Sequence, residues 1–467
     1  MVQLGTTQPQ RWNLLAGFQE ATRSPEAQSE IRGWAGLAIL SLGIAGVFAL
    51  LLAFSRLPGI QDVFPWPLGF FEKGLIIHVI FSFVIWFLSI LGCLISISTH
   101  RISAGSPKLL ILGRPALWAG YAGSVLLFIP ALMDRSEPSL NNYIPVIIDP
   151  IYYTGLATLG FSIFLLVIRM IANLTGRQGP LEPVSFGSLI AGLIYLISLL
   201  CIGYAYQHLQ GDTPSHAFNE DLFWGGGHVL QFCNVAMLMV AWYLLGGMTL
   251  KQPLVNPRLF QSSLILLLGL SLFPVSTYAL YDMFTATQIE AITDMQYLMA
   301  PPSILVAVLA VATIRKVRPL PWQDPALLCL LLSFLVFGLG GILGLFVDGT
   351  DTRTPAHYHG MIGGINLAIM GLYFCFFMPL INRSPTPVRK HRVLVHLYAW
   401  GQLLQSLGLF LAGGYGTPRK TAGAEQGIAE MGAMMGMYMN GVGALIAIAG
   451  GVMFIWIIAR SLLRPAM

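Results

Sequence analysis

The chain has 467 residues, of which 56% are hydrophobic and only 10% are charged, and its mean hydropathy is +0.73. These values exclude a water-soluble globular protein and indicate an integral membrane protein that lies in a lipid bilayer. The net charge of +5 reflects an uneven distribution of cations across the membrane, so it does not indicate a nucleic-acid partner.

Twelve long apolar segments follow one another along the chain. Each is about 20 residues or longer, the length needed to cross roughly 30 Å of hydrocarbon. The predicted spans are 33–54, 70–98, 110–133, 150–173, 185–206, 222–248, 259–281, 296–314, 325–347, 357–381, 393–414 and 433–459. The predicted fold class is therefore all-α, a twelve-helix transmembrane bundle, with 1–32 as a cytoplasmic N-terminal segment and 33–467 as the membrane domain.

The cations lie mostly on one side of this predicted bundle. Nineteen of the 25 Lys and Arg residues fall in the termini or the even-numbered loops, and six fall on the other side. The positive-inside rule then predicts that both termini are cytoplasmic, with the bacterial inner membrane as the expected location. The first 32 residues contain no apolar segment typical of a cleavable signal peptide, so the first span is expected to direct insertion.

Charged and ionisable residues on the inner side are predicted to lie outside the membrane. The inner acids, all assigned to tails or loops, are Glu20, Glu26, Glu30, Glu182 and Asp324. Five histidines are also expected near the surface, namely His100 and His391 in inner loops, His208 and His216 in an outer loop, and His396 near the inner interface. Because no Asp, Glu or Lys is predicted in the middle of a span, we expect no proton pumping, with consumed protons entering from the outer side.

Four other histidines converge at one depth toward the outer face. His78 opens span two, His228 lies one to two turns into span six, and His357 and His359 open span ten. At about 100° per residue, His357 and His359 project roughly 200° apart, so they cannot ligate one small ion but can each hold a planar cofactor. Haem fits, because imidazole is its common axial ligand. The alternative is that each imidazole only hydrogen-bonds a neighbouring helix.

The segment "TPAHYHGMIGGINLAIMGLYF" resembles helix ten of subunit I of the haem-copper oxidase superfamily, which includes terminal oxidases and nitric oxide reductases. This resemblance implies the twelve-helix fold of that subunit and two haems, which we expect to be of b type. It implies that His357 binds a high-spin haem, and that His359 and His78 bind a low-spin haem.

Three further segments carry the resemblance. "WGGGHVLQF" is similar to the helix-six motif whose histidine binds a non-haem metal, which implies that role for His228 beside Trp224. "GGYGTPRK" resembles the motif that holds haem propionates, which implies that role for Arg419 and Lys420. "NNYIPVIIDP" resembles the family's connection into helix four.

Helix seven departs from the family pattern. The family places a His-His pair there, whereas this chain has "FPVSTYALYDMFTATQ" without histidine, and Phe232 stands where oxygen reductases carry a tyrosine. His228 alone makes a poor copper or iron site, since tight binding needs about three nitrogen or sulfur ligands. Tyr278 and Tyr281 are the candidates to complete a catalytic site with His357 and His228.

The sequence thus favours an oxidoreductase in which electrons pass from the low-spin to the high-spin haem, which reduces a small gas, oxygen or nitric oxide. The resemblance implies a cytochrome c-type or other redox partner subunit on the outer side and membership of a multi-subunit complex. Two alternatives stay open: a non-catalytic haem electron-transfer, anchor or sensor subunit that has lost the non-haem metal, and a transporter with the histidines in its substrate path.

Overall fold

A computed structural model describes residues 14–56, 68–103, 106–175, 177, 179–347, 349–385 and 388–464. Within these residues, twelve helices are long and apolar enough to cross a membrane. Spans one to twelve are Pro25–Ser55, Phe71–Ile102, Leu110–Leu132, Pro150–Leu174, Pro183–His208, His216–Leu250, Pro257–Leu280, Ala286–Lys316, Pro325–Gly344, Arg353–Leu380, Arg389–Gly414 and Met431–Leu463. Each overlaps one predicted segment, so the twelve-helix prediction is confirmed.

Several spans are built from more than one helical piece. Span two is α-helical over Leu68–Val79 and Trp86–Ile102, joined by a π-helical turn at Ile80–Ile85. Spans three, seven, eight and ten comprise Leu110–Leu112, Gly113–Phe128 and Ile129–Leu132; Pro257–Leu270 and Phe273–Leu280; Ala286–Asp294, Met295–Met299 and Ala300–Lys316; Arg353–Leu372, Tyr373–Phe377 and Met378–Leu380. The helix of span eleven begins at Val388, and the shorter helices Leu14–Ala21 and Gly423–Gln426 lie outside the spans.

One small sheet interrupts the helical pattern between spans three and four. Strand β1 (Glu137–Ser139) pairs antiparallel with strand β2 (Val146–Ile148), with Glu137 opposite Ile148. Residues 140–145 form the turn between them, and Tyr143 there has a φ of 63°. The hairpin places this turn at the end of the bundle where span three ends and span six starts.

Helix starts follow local chemistry. Asp149 caps span four by accepting a hydrogen bond from the Ile151 amide at 2.9 Å, and Asp324 caps span nine in the same way at the Ala326 amide, also at 2.9 Å. Proline follows directly in both cases, at Pro150 and Pro325. A side-chain acceptor satisfies an amide that the first turn leaves without a partner, and proline has no amide to satisfy.

Spans eleven and twelve pack backbone against backbone. Gly436, Gly443 and Gly450 recur every seven residues, and a Cβ at any of them would collide with the backbone of span eleven. Small residues at such positions let two membrane helices approach closely, where dispersion forces and interhelical contacts hold them together. The loop between these two spans, which carries Arg419 and Lys420, is therefore held from both sides by a rigid helix pair.

Two predictions about residues at the end of the bundle where span one begins are corrected by the structure. Glu30 is 3% exposed and lies within span one, where Arg169 Nη1 donates to both of its carboxylate oxygens at 2.9 Å. His100, 4% exposed, places Nε2 3.3 Å from the same carboxylate. The prediction that Glu30 lies in a tail and the prediction that His100 is exposed are both wrong. Arg169 and His100 provide polar partners for the Glu30 carboxylate inside the protein, which makes burial of all three side chains possible.

Of the other four histidines predicted near the surface, one is buried and three are exposed. His391 is 2% exposed and stacks on Phe374 at 4.4 Å between ring centroids, so the prediction of an exposed loop histidine is wrong there too. His208, His216 and His396 are exposed as predicted. The Phe374 ring takes the place of solvent against one face of the His391 imidazole. This contact could not be predicted from the position of His391 in a basic loop.

Candidate haem pocket and distal histidine

The four converging histidines lie on the three most enclosed helices of the bundle. The apolar windows of spans two, six and ten are 89%, 89% and 78% buried, whereas no other span exceeds 56%. His78 belongs to span two, His228 to span six, and His357 and His359 to span ten. These positions are where a membrane protein can hold polar groups away from lipid.

Two imidazoles are fixed in the same tautomer. His78 Nδ1 lies 3.0 Å from the Ala45 carbonyl oxygen, and His357 Nδ1 lies 2.8 Å from the Gly340 carbonyl oxygen. Because a carbonyl only accepts, each Nδ1 carries the proton and donates, which leaves the lone pair on Nε2. This orientation suits axial ligation of iron through Nε2.

Glycines allow span nine to approach His357. A Cβ on Gly344 would lie 2.5 Å from His357 Nδ1, and Gly340 and Gly360 bring the two helix backbones into contact. Because Gly340 and Gly344 have no side chains, the His357 imidazole can lie directly against the backbone of span nine. A larger residue at Gly344 would displace the ring.

His359, two positions along the same helix, has different electrostatic neighbours from His357. Its imidazole is within electrostatic range of His78 and of Arg56. Tyr358, between the two span-ten histidines, is 39% exposed and lies within electrostatic range of Arg56 and Arg419. Arg56 has a buried Nε with no hydrogen-bond partner among the described residues. Two imidazoles beside an incompletely paired cation fit a haem with its propionate.

His228 differs from His78 and His357 in that its Nε2 also has a hydrogen-bond partner. Its Nδ1 donates to the Trp224 carbonyl oxygen at 2.7 Å, and its Nε2 lies 2.6 Å from the Tyr143 hydroxyl. Since Nε2 then carries the lone pair, the Tyr143 O–H donates to it. The two rings lie 4.2 Å apart between centroids, and Trp224 packs on the imidazole at 4.9 Å.

The three glycines before His228 make room for its surroundings. A Cβ on Gly225 would collide with the Tyr278 hydroxyl, one on Gly226 with Ile202, and one on Gly227 with the Tyr143 ring. Trp224, at the head of this run, donates from Nε1 to the Ile289 carbonyl oxygen at 3.2 Å, which fixes its ring. The motif thus positions Tyr143 as well as His228.

The helix-seven candidates do not complete a metal site. Tyr278 hydrogen-bonds Cys201 and stacks on Tyr204 at 5.9 Å, and Tyr281 is 37% exposed beyond the end of its helix. Across the described ranges, no group of three or more His, Cys, Asp or Glu residues could hold a metal ion. The donor set around His228 therefore does not fit the non-haem copper or iron of the family.

A polar cluster at the end of the bundle where span six starts joins the hairpin turn to Arg419 and Lys420, the predicted propionate cations. Arg419 Nη2 donates to Asn142 Oδ1 at 3.0 Å, and Lys420 Nζ donates to the same atom at 3.3 Å and to the Leu140 carbonyl. The Asn142 amide donates to the Glu220 carboxylate at 2.8 Å. Burial and the adjacent Arg419 lower the pKa of the Lys420 ammonium to about 8, and Glu220 opposes them.

The same cluster is anchored to the start of span ten. The Thr352 amide donates to the Thr417 carbonyl at 2.9 Å, and the Arg419 amide donates to the Thr350 carbonyl at 3.3 Å. Asp351 pairs with Arg353 at 2.6 Å, while Asp348 lies outside the described residues. Arg419 and Lys420 are thus held next to the start of the helix that carries His357 and His359, which begins at Arg353.

Sequence reasoning missed four residues of this region, namely Arg56, Asn142, Tyr143 and Glu220. Two of them, Asn142 and Tyr143, lie in the segment "NNYIPVIIDP", whose resemblance to the family's connection into helix four does not indicate a role for either side chain. Burial, followed by the charge of Glu220, raises the pKa of the Tyr143 hydroxyl, with Arg419 opposing. Tyr143 therefore remains protonated and can donate at neutral pH.

Comparison with known proteins identifies the family. Residues 31–452 match the family described as cytochrome C and quinol oxidase polypeptide I. The chain belongs to this family. It is 21% identical to cytochrome c oxidase subunit 1 of Thermus thermophilus, over 73% of this chain and 67% of that protein.

Two other relatives and a solved structure agree with that membership. An uncharacterised protein of Rickettsia prowazekii is 27% identical over 95% of this chain and 98% of its own length. One from Aquifex aeolicus is 29% identical, over 74% and 84% respectively. The fold matches that of a heme-copper terminal oxidase dimer with a TM-score of 0.75 and 16% identity, over 94% of this chain and 84% of that one. The chain thus has the subunit I fold of the cytochrome c and quinol oxidase polypeptide I family.

Proposed function

We propose that this subunit is a membrane haem protein in which a low-spin haem, held by His78 and His359, passes electrons to a second haem held by His357. When bound, the two haems would supply electron transfer and the iron at which a small gas, oxygen or nitric oxide, is reduced. The chain's own residues hold and orient these groups and exclude lipid.

The observation that carries this proposal is the shared tautomer of His78 and His357. Each donates from Nδ1 to a backbone carbonyl, at 3.0 Å and 2.8 Å, and thereby keeps Nε2 free to bind iron. Arg56, Arg419 and Lys420 supply positive charge for propionates on the outer side. Non-covalently bound haems are proposed because the chain has no CxxCH motif for covalent attachment, and we take them to be of b type.

Electrons are proposed to come from a cytochrome c-type or other redox subunit on the outer side, within a larger respiratory complex. Both termini are proposed to lie in the cytoplasm of a bacterium. Proton pumping is not part of the proposal, because the middles of the described spans carry no Asp, Glu or Lys. Glu30 is bound to Arg169 through both of its carboxylate oxygens, so it is poorly suited to carry protons.

A second candidate function is electron transfer, anchoring or gas sensing without reduction of the gas. The observation in its favour is the hydrogen bond from Tyr143 to His228 Nε2 at 2.6 Å, which engages the nitrogen that a catalytic non-haem metal would need. Both candidate functions require the two haems, but only the first includes reduction of the gas.

The experiment that tests the proposal is a reduced-minus-oxidised spectrum of the purified protein, with and without carbon monoxide. We expect two haems per chain, of which one binds carbon monoxide. Oxygen or nitric oxide consumption with a reduced donor then separates reduction from sensing. Absence of haem bands would contradict both candidates and favour a transporter.

Haem retention should depend on pH through Lys420. Its pKa of about 8 means that the ammonium is charged below that pH and neutral above it, so its attraction for a propionate is lost as the pH rises. We expect faster haem transfer to apomyoglobin at pH 9.5 than at pH 7, with Arg419 and Glu220 as the other charged groups facing the site. Lys420→Met should remove most of this difference.

Lys73→Met is the matched control for Lys420. Lys73 is another outer-side lysine that donates to a backbone carbonyl, that of Met133, at 2.6 Å. It should retain the full pH dependence. An unchanged pH profile in Lys420→Met would show that Lys420 does not contact a propionate.

A further inference from the structure

The position of the family's non-haem metal is closed by a side chain from elsewhere in the fold. In the family's motif this position is served by the helix-six histidine, here His228. The Tyr143 hydroxyl donates to its Nε2 at 2.6 Å, and the Trp224 carbonyl engages its Nδ1 at 2.7 Å. Both ring nitrogens are therefore satisfied by the protein, and neither offers a lone pair to a metal.

Several features of the structure position the Tyr143 hydroxyl at His228 Nε2. Tyr143 has a φ of 63°, a left-handed conformation that costs energy for a residue with a side chain. The neighbouring Asn142 holds the turn by bonding Glu220, Arg419 and Lys420. Gly227 leaves the space that the Tyr143 ring fills. Three separate features thus place one hydroxyl on one nitrogen.

His228 and His357 belong to one three-helix unit. Trp242 of span six donates to the Ser333 hydroxyl of span nine at 2.8 Å, and Ser333 donates to the Gly364 carbonyl of span ten at 2.7 Å. His357 is held against span nine at Gly340. The two histidines therefore belong to helices that pack together in one unit.

We propose that Tyr143 and His228 form a metal-free pair in place of the non-haem metal. The single Tyr143 hydroxyl proton, held on His228 Nε2 in the free protein, turns to a small diatomic ligand when one binds to the haem of His357, and there the hydroxyl acts as hydrogen-bond donor. The ligand class is a gas with a terminal acceptor atom, such as oxygen, nitric oxide or carbon monoxide. The metal-free pair stands on the contacts described above, whereas the donor role rests on the proposed function, since it needs a haem on His357.

Metal analysis of the purified wild-type protein tests the first part. We expect iron equal to the haem content and no copper, with no change in His228→Ala. One equivalent of copper or non-haem iron per chain that disappears in His228→Ala would overturn the proposal. This measurement holds whether or not the haem proposal is correct, so the two can fail separately.

The infrared stretching frequency of carbon monoxide on the reduced protein tests the second part. A donor to the bound ligand draws electron density onto it and weakens the C–O bond, so Tyr143→Phe should shift the band to higher frequency. Gly227→Ala should shift it in the same direction, because the added Cβ pushes the Tyr143 ring away while the hydroxyl remains. An unshifted band in Tyr143→Phe would overturn the donor role.

Tyr153→Phe is the matched control. Its hydroxyl is also half-buried beside span six, where it donates to Asn219 Oδ1 at 2.8 Å, but it does not bond His228. The band should stay at its wild-type frequency. An equal shift in Tyr153→Phe would attribute the effect to general loosening of span six and overturn the assignment to Tyr143.

Discussion

Replacing Arg169 with methionine is expected to lower the free energy of unfolding by about 3–5 kcal/mol, the range found when one partner of a buried ion pair is removed. Arg169 is fully buried, and it is bound to Glu30 at 2.9 Å. Without it, a carboxylate that is 3% exposed keeps only the His100 contact at 3.3 Å. Denaturation in increasing dodecyl sulfate, followed by circular dichroism, measures the loss.

Two variants make this prediction specific. Arg101→Met breaks an ion pair with Glu182 at 3.1 Å, in which the side chains are 40% and 25% exposed, so water screens it and the loss should stay below about 1 kcal/mol. The double variant Glu30→Gln with Arg169→Met should recover much of the stability, because no uncompensated charge remains. A loss in Arg169→Met no larger than in Arg101→Met would contradict the role of the buried pair.

Single substitutions on span ten should separate the two haems. His359→Ala is expected to remove the low-spin haem and about half of the total haem, and to leave carbon monoxide binding intact. His357→Ala is expected to abolish carbon monoxide binding and leave the low-spin spectrum. The reason is that the two rings have different neighbours: His359 is within electrostatic range of His78, whereas His357 donates to the Gly340 carbonyl of span nine. Pyridine haemochrome assay and the carbon monoxide difference spectrum measure both quantities.

Tyr358→Phe, between the two histidines, keeps the ring and the helix and should retain both haems. Loss of the same haem in His357→Ala and His359→Ala would show that the two imidazoles serve one group, against the orientation described. Loss of all haem in either variant, with a normal far-ultraviolet circular dichroism spectrum, would mean that the two sites are coupled.

Apolar length predicted the spans well, because the energetic demand for unbroken helices in lipid is local in sequence. The predicted span 150–173, for example, corresponds to the helix Pro150–Leu174. The start of span one was placed too late, at residue 33. Glu26, Glu30 and Arg32 made the preceding residues look like a tail, although the helix begins at Pro25.

The buried cluster could not be predicted from charge patterns. Glu30, His100 and Arg169 come from three spans, and 139 residues separate Glu30 from Arg169. A charged residue near a span end is ordinarily placed in water, since an isolated charge in lipid is costly. Its burial becomes favourable only when its partners are known, and these depend on how the spans pack.

The candidate site was predictable only in part. The common depth of His78, His357 and His359, and the angle between His357 and His359 around their helix, indicated a role for these residues. Both can be calculated from sequence positions alone. Tyr143 was missed because its position depends on a left-handed turn and on a distant glycine of span six, Gly227. Neither relation leaves a periodic pattern in the sequence.

The seven-residue glycine period between spans eleven and twelve limits which changes in length the chain can accept. Inserting one residue between Gly436 and Gly443 would turn every later glycine by about 100° away from its neighbour. Insertions of seven residues would preserve the face but lengthen the helix beyond the bilayer. Homologous chains are therefore expected to vary in residue type along span twelve while its length between these glycines stays fixed, with length differences confined to the loop before it.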